Sequence, residues 1–160
     1  GSLWRWPAAS ARHTRQTMLL FLLAATGLTI AVAVLLPERL FAFPRTRPGW
    51  WAVVLGLYPW LSALPQELLY RSFCHHRYRP LFSSRTGLLL ASAVAFAILH
   101  IVFRNWPAVV LTFLAGWRFA DTYERTGSLP WVTLEHALYG NWIFTVGLGI
   151  FFYSRAAMGG

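Results

Sequence analysis

Residues 17–36 read TMLLFLLAATGLTIAVAVLL, twenty consecutive positions without a charge. At about 1.5 Å per residue, twenty helical residues cross the roughly 30 Å hydrocarbon core of a bilayer. A single span in that solvent must satisfy its own backbone amides, and only a helix does so. The stretch therefore sets the fold class: an all-α, polytopic membrane helical bundle. A basic stretch precedes the run, as in a signal peptide. The run is long for a signal's apolar region and lacks a small-residue cleavage site, so it reads as a true span.

Four more apolar runs follow, at about 49–73, 86–103, 107–123 and 130–153. The expectation is about five transmembrane helices in one transmembrane domain covering residues 1–160. Composition agrees: 57% hydrophobic and 12% charged residues are too apolar and too poor in charge for an ordinary soluble domain. Pro59 and Pro65 predict a kink or break in the second run. The third ends at Arg104-Asn105-Trp106-Pro107, with the proline suited to the first turn of the next helix. Arg118 and Asp121, three apart in the fourth run, are neighbours on one helix face and are expected to pair. Thr126-Gly127-Ser128 reads as a turn, and Pro130 opens the fifth run.

The net charge of +9 comes from fourteen arginines and no lysine against five acidic residues. The arginines are scattered between the apolar runs rather than lining one face, which argues for lipid headgroups as partner and against nucleic acid. Trp4, Trp6, Trp50, Trp51, Trp106, Trp131 and Tyr153 lie near segment ends, as an interfacial aromatic belt requires. Arginine counts outside the spans favour a cytoplasmic N-terminus. A bacterial inner membrane is the expected location. The single Cys74 excludes an intramolecular disulfide, and the Gly1-Ser2 start reads as a cloning scar or a cut inside a longer protein.

An ionisable group within a span costs roughly 2.5–3.5 kcal/mol on insertion scales, so Glu67, His100, Glu135 and His136 each require a reason to be there. Glu67 and Arg71, four apart, share a helical face, acid before base. A carboxylate and two imidazoles in a low-dielectric cavity form a set that can activate water for hydrolysis. Two histidines and one carboxylate with an open position also make a catalytic zinc set, so zinc held by Glu67, His100 and His136 is carried as an alternative. Glu135 is expected to pair with Arg118 or Arg104 or to reach the interface, or else to supply a second site carboxylate. Cys74-His75-His76 reads as an interfacial anchor rather than a metal cluster, because adjacent helical side chains diverge.

Pro65-Gln66-Glu67-Leu68-Leu69-Tyr70-Arg71, Phe96-Ala97-Ile98-Leu99-His100 and Glu135-His136-Ala137-Leu138-Tyr139-Gly140-Asn141 lie in three successive polar-bearing runs. Their order resembles the E-E-x-x-x-R, F-x-x-x-H and H-x-x-x-N series of the CPBP intramembrane proteases. That group includes the CAAX prenyl endoproteases and bacteriocin-processing or abortive-infection homologues. The resemblance covers roughly residues 65–152. It implies an intramembrane endopeptidase, glutamate- or metal-dependent, acting on a peptide or membrane-protein substrate. By that resemblance Glu67 and His100 act on the attacking water, Arg71 orients Glu67, and His136 and Asn141 hold the oxyanion. Prenylated C-terminal peptides, bacteriocin leaders and membrane-protein segments all remain open as substrates.

Two departures from the series stand out. Gln66 occupies the first glutamate position, and a glutamine takes no proton at physiological pH. Asn141 falls five residues after His136 rather than four, about 140° away from it on a regular helix, while Gly140 takes the four-later position. A π-bulge near Tyr139-Gly140 would bring Asn141 back. A catalytically impaired membrane scaffold explains both departures without special geometry. A small transporter using the same residues as a relay is the remaining alternative, although no inverted repeat supports it.

Overall fold

A computed structural model describes residues 11–152, with side chains from Thr14 onward. Trp4, Trp6, Tyr153 and the side chain of Arg12 lie outside the described residues. The described chain is helical almost throughout and contains no strand. Helix α1 spans Ala11–Leu35, and a short α2 covers Ala42–Thr46. The second apolar run forms α3 (Pro48–Tyr58), α4 (Leu64–Glu67) and α5 (His76–Tyr78), joined by π-helical stretches Pro59–Ala63 and Leu68–His75. Helices α6 (Arg85–Leu99), α7 (Trp106–Thr126) and α8 (Leu129–Val146) complete the bundle.

Local sequence explains the boundaries. Ser84, Asn105 and Ser128 cap α6, α7 and α8, each accepting from a backbone N–H three residues on. Pro107 and Pro130 sit in the first turns, where a missing N–H costs nothing. Gly127 ends α7 in the left-handed region. Gly147 ends α8 at φ 111°, with the carbonyl oxygen of Arg39 only 2.1 Å from where a Cβ would lie, so this position accepts only glycine.

The chain stays helical through Pro59 and Pro65, and the irregularity expected there takes the form of two π-helical stretches, Pro59–Ala63 and Leu68–His75. The expected π-bulge near Tyr139-Gly140 is absent: α8 is regular α-helix from Leu129 to Val146.

Polarity runs inside out. Leu22, Leu23, Ile30, Val34 and Leu35 of α1 are exposed, whereas Glu67, Arg71, Glu135 and His136 are buried. An apolar surface around an ionisable interior is the arrangement a bilayer selects. Two stretches, Thr14–Leu35 and Arg85–Phe103, are long and apolar enough to cross a membrane. The other three expected spans fall short of that standard for identifiable reasons. Prolines and π turns cut the second run into short pieces. Arg118, Asp121, Glu124 and Arg125 interrupt α7, and Glu135, His136 and Asn141 lower the apolarity of α8.

Tyr70, Phe96, Phe119, Tyr123, Leu129 and Val132 form the main core, and Val32, Val146 and Leu148 fix α1 against α8. Arg118 joins α7 to its neighbours: its Nε donates to Glu135 Oε1 at 2.8 Å and a terminal nitrogen to Thr17 Oγ1 at 3.1 Å. It also lies 3.6 Å from Asp121, as the spacing predicts. Glu135 thus takes its expected structural partner.

Beyond the second apolar run, His75 Nε2 meets Glu124 Oε2 at 2.7 Å, and Arg79 bonds the other oxygen. His75 is therefore buried rather than anchoring at the interface; its neighbour His76 is exposed. Burial holds the His75 imidazole below its ordinary value despite the pull of Glu124, so the ring is neutral and donates through Nε2. Burial would raise the Glu124 carboxyl, but bonds from Arg79 and His75 prevail and hold it low.

Two predictions follow from this packing. A Cβ at Gly116 would lie 2.9 Å from Phe96 Cβ and 3.2 Å from Ala93 Cα, whereas Gly27 has nothing within 4 Å. Gly116→Val should cost about 1–3 kcal/mol and lower the thermal midpoint in detergent, while Gly27→Ala leaves it in place. An unchanged midpoint for Gly116→Val would contradict the α6–α7 contact. For the His75–Glu124 pair, both lowered values give the same sign. Its stabilisation is complete above about pH 6.5, declines as the imidazole protonates, and declines further below about pH 4.5. The midpoint should fall between pH 8 and 5.5 in the parent and fall less in His75→Phe.

Candidate active site

The site is built around a guanidinium with no access to water. Arg71 and Glu67 are both completely buried. Arg71 Nε donates to Glu67 Oε2 at 2.9 Å, one terminal nitrogen donates to Ser92 Oγ, and the other to the Gly116 carbonyl at 3.1 Å. One side chain of the second run thereby fastens α6 and α7, and its guanidinium also lies 5.8 Å from the Phe96 ring centre.

The second carboxylate oxygen, Oε1, meets His136 Nδ1 at 2.8 Å. An ionised carboxylate only accepts, so Nδ1 carries a proton and the imidazole is oriented by Glu67. Its Nε2 lies 3.1 Å from the Tyr58 hydroxyl. Phe119 stacks on the imidazole, ring centres 4.7 Å apart and planes 20° apart, which holds the ring flat against α7.

His100 closes α6 and begins a tight 3-10 turn, His100–Phe103. Its Nδ1 lies 2.8 Å from the Phe96 carbonyl oxygen. A carbonyl accepts only, so Nδ1 is the protonated nitrogen and Nε2 keeps the lone pair in the neutral ring. Phe96 lies between the two imidazoles, 4.9 Å from His100 and 5.6 Å from His136 by ring centres.

A cavity of about 130 Å³ lies against these groups, lined by Tyr58, Ser62, Gln66, His100, Thr112 and His136 among aromatic and aliphatic side chains. A water needs roughly 10–15 Å³ measured this way, so several fit. Polar side chains of α7, α8, the turn that follows α6 and the second run converge on this apolar chamber, the arrangement expected of a reaction site.

The structure thus brings Gln66, His100 and His136 to one cavity. Glu67 does not line it. Both its oxygens are engaged, so it adjoins the cavity only through His136, without the direct access to cavity water that the sequence reading expects. Gln66 takes the cavity-facing position instead, its Nε2 donating to Ser62 Oγ at 2.9 Å. Asn141 lies elsewhere. Its Nδ2 donates to the Leu55 carbonyl at 3.3 Å, an acceptor to which Pro59, four residues on, offers no N–H. Gly140, not Asn141, faces the site.

Glu67, His100 and His136 do not fit the zinc set. Glu67 is committed to Arg71 and His136, and His136 Nδ1 to Glu67. Among the described residues no group of three or more His, Cys, Asp or Glu side chains is placed to hold a metal ion.

Sequence reasoning missed Tyr58, Ser62 and Ser92. A signal was present for the first two: Tyr58, Ser62 and Gln66 recur every four residues and so share a helical face. Ser92 had none, since one serine in an apolar helix is unremarkable.

A family model described as type II CAAX prenyl endopeptidase Rce1-like matches residues 47–143. That range contains the second run, α6, α7 and most of α8. No curated protein and no solved structure matches the chain.

The buried pair makes a stability prediction. Arg71→Met leaves the Glu67 carboxylate buried and uncompensated, at a cost of about 3–5 kcal/mol. The double change Glu67→Gln with Arg71→Met should be milder than Arg71→Met alone, as read by thermal midpoint and monodisperse yield in detergent. Equal losses would show that the two side chains are not energetically coupled.

Proposed function

This chain belongs to the type II CAAX prenyl endopeptidase Rce1-like family, a membrane-integral family of CAAX-type proteases, and we propose that it hydrolyses a peptide bond near the C-terminus of a prenylated CAAX substrate. The observation that carries the proposal is the pair of imidazoles, His100 from α6 and His136 from α8, presented to one cavity.

In this reading residues 1–160 form one membrane domain and all five apolar runs cross the bilayer. The charged members of the three less apolar runs are accommodated by pairing inside the bundle, as Glu67 is with Arg71 and Glu135 with Arg118.

Gln66, Glu67, Arg71, His100 and His136 carry the chemistry. His100 Nε2 removes a proton from water as the oxygen attacks the scissile carbonyl; the π pair of that carbonyl becomes the tetrahedral oxyanion. Collapse breaks the C–N bond, and the proton held by His100 passes to the departing amine, leaving a carboxylic acid and an amine. Glu67 fixes the His136 tautomer, Arg71 fixes Glu67, and Gln66 offers its amide to water or substrate. Neutral histidine serves as the base because Gln66 cannot, which reconciles the family pattern with the missing carboxylate.

A second reading, an impaired scaffold, is favoured by one observation: the amide of Gln66 lines the cavity at the family's first glutamate position. The two readings separate on a fluorogenic, S-prenylated CAAX peptide presented to detergent-purified protein. Under the first, the parent cleaves and His100→Ala loses about 10²–10⁴-fold in kcat. An inert parent whose Gln66→Glu variant cleaves establishes the second. A cleaving parent unaffected by His100→Ala would falsify the assignment of the base.

A further inference from the structure

The family pattern places an asparagine four residues after the second histidine, and in this chain that position is Gly140. The space an asparagine would need there is filled. A Cβ built on Gly140 lies 2.3 Å from the Tyr58 hydroxyl oxygen and 2.2–2.3 Å from two carbons of its ring. Real side chains do not approach so closely, so Gly140 and Tyr58 are mutually dependent: the phenol fits because residue 140 has no side chain.

Tyr58 is placed to supply what an amide there would supply. Its hydroxyl lies 3.1 Å from His136 Nε2, and the residue lines the same cavity as His100. Its ring is held edge-on by His136 and Phe144, at 5.9 Å and 5.5 Å between centres. The π turn Pro59–Ala63 follows it directly. Asn141, meanwhile, is committed to the Leu55 carbonyl.

We infer that Tyr58 is the oxyanion donor of this enzyme, the phenol O–H replacing the side-chain amide of the family pattern; the inference rests on the protease reading above. Glu67, His136 and Tyr58 form a directed chain. In the neutral imidazole, Nδ1–H points to Glu67 and Nε2 accepts from the Tyr58 hydroxyl. When the scissile carbonyl becomes an oxyanion, the phenol O–H turns from Nε2 to that oxygen, and the imidazole stays neutral. As water adds to the scissile carbonyl and His100 takes its proton, the negative oxygen accepts that O–H bond. Tyr58 keeps its proton throughout, so no charge beyond the tetrahedral oxyanion is created.

The test uses the full chain in detergent and the S-prenylated CAAX peptide. Tyr58→Phe keeps the ring and removes the hydroxyl; it should lower kcat about 10²–10³-fold with KM within about twofold of the parent. Tyr58→Ala with Gly140→Asn places an amide in the vacated space and should recover at least tenfold over Tyr58→Ala alone. Gly140→Asn alone, with Tyr58 present, should lose activity because the two side chains collide. Thermal midpoints on the same samples separate misfolding from lost chemistry. A parent that cleaves with Tyr58→Phe matching its kcat overturns this inference alone. A parent that leaves the peptide intact overturns the protease reading and this inference with it. A folded Tyr58→Ala, Gly140→Asn variant no faster than Tyr58→Ala overturns the replacement of amide by phenol.

Discussion

The Glu67–Arg71 pair is the contact on which the rest of the bundle depends. Placing either charge alone in an apolar interior is prohibitive, and placing both is tolerable only when every remaining donor and acceptor finds a partner. The structure meets that condition by drawing in Ser92 from α6, the Gly116 carbonyl from α7 and His136 from α8. Satisfying one buried ion pair thus fixes how three helices sit around the second apolar run. Gly116 shows the consequence: its bare backbone lets α7 approach Phe96 closely enough for the carbonyl to reach Arg71.

The same geometry divides labour between adjacent residues. Gln66 and Glu67 point apart on their helix, one to the cavity and one to the buried pair. Glu67 is needed where it is, to neutralise Arg71 and orient His136, and its two oxygens leave none for solvent. In the proposed mechanism, base chemistry in the cavity then falls to an imidazole whose tautomer is set by a carbonyl. His100 meets that requirement because α6 ends there and the Phe96 carbonyl, at the last turn, is available to its Nδ1.

Prolines account for the rest of the site. In the second run, Pro59 and Pro65 withdraw backbone donors without breaking the helix, because the chain shifts to π-helical bonding around them. Tyr58, Ser62 and Gln66, spaced four apart across the first π stretch, line the chamber. The carbonyl that Pro59 cannot serve, that of Leu55, takes the amide of Asn141. A side chain that the family resemblance assigns to catalysis is thereby engaged in satisfying a proline-disrupted helix, and α8 stays regular.

Much of this was legible in the residue string, and the boundary has a physical basis. Membrane class, helical content, the Thr126-Gly127-Ser128 turn and the Arg118–Glu135 pair depend on apolar runs, short spacings and obligatory pairing of charge, all of which a linear pattern carries. The set Gln66, Glu67, Arg71, His100 and His136 was likewise readable, because each ionisable or amide group in an apolar run stands out against its neighbours. Tertiary structure alone decided which of these atoms face the cavity. The facing of Gln66 rather than Glu67, the engagement of both Glu67 oxygens and the fit of Tyr58 against Gly140 arise from π turns and interhelical contacts. Those contacts join residues as far apart as Tyr58 and His136, and a side chain's direction is set by the partner it meets across the bundle, not by the residues beside it in the chain.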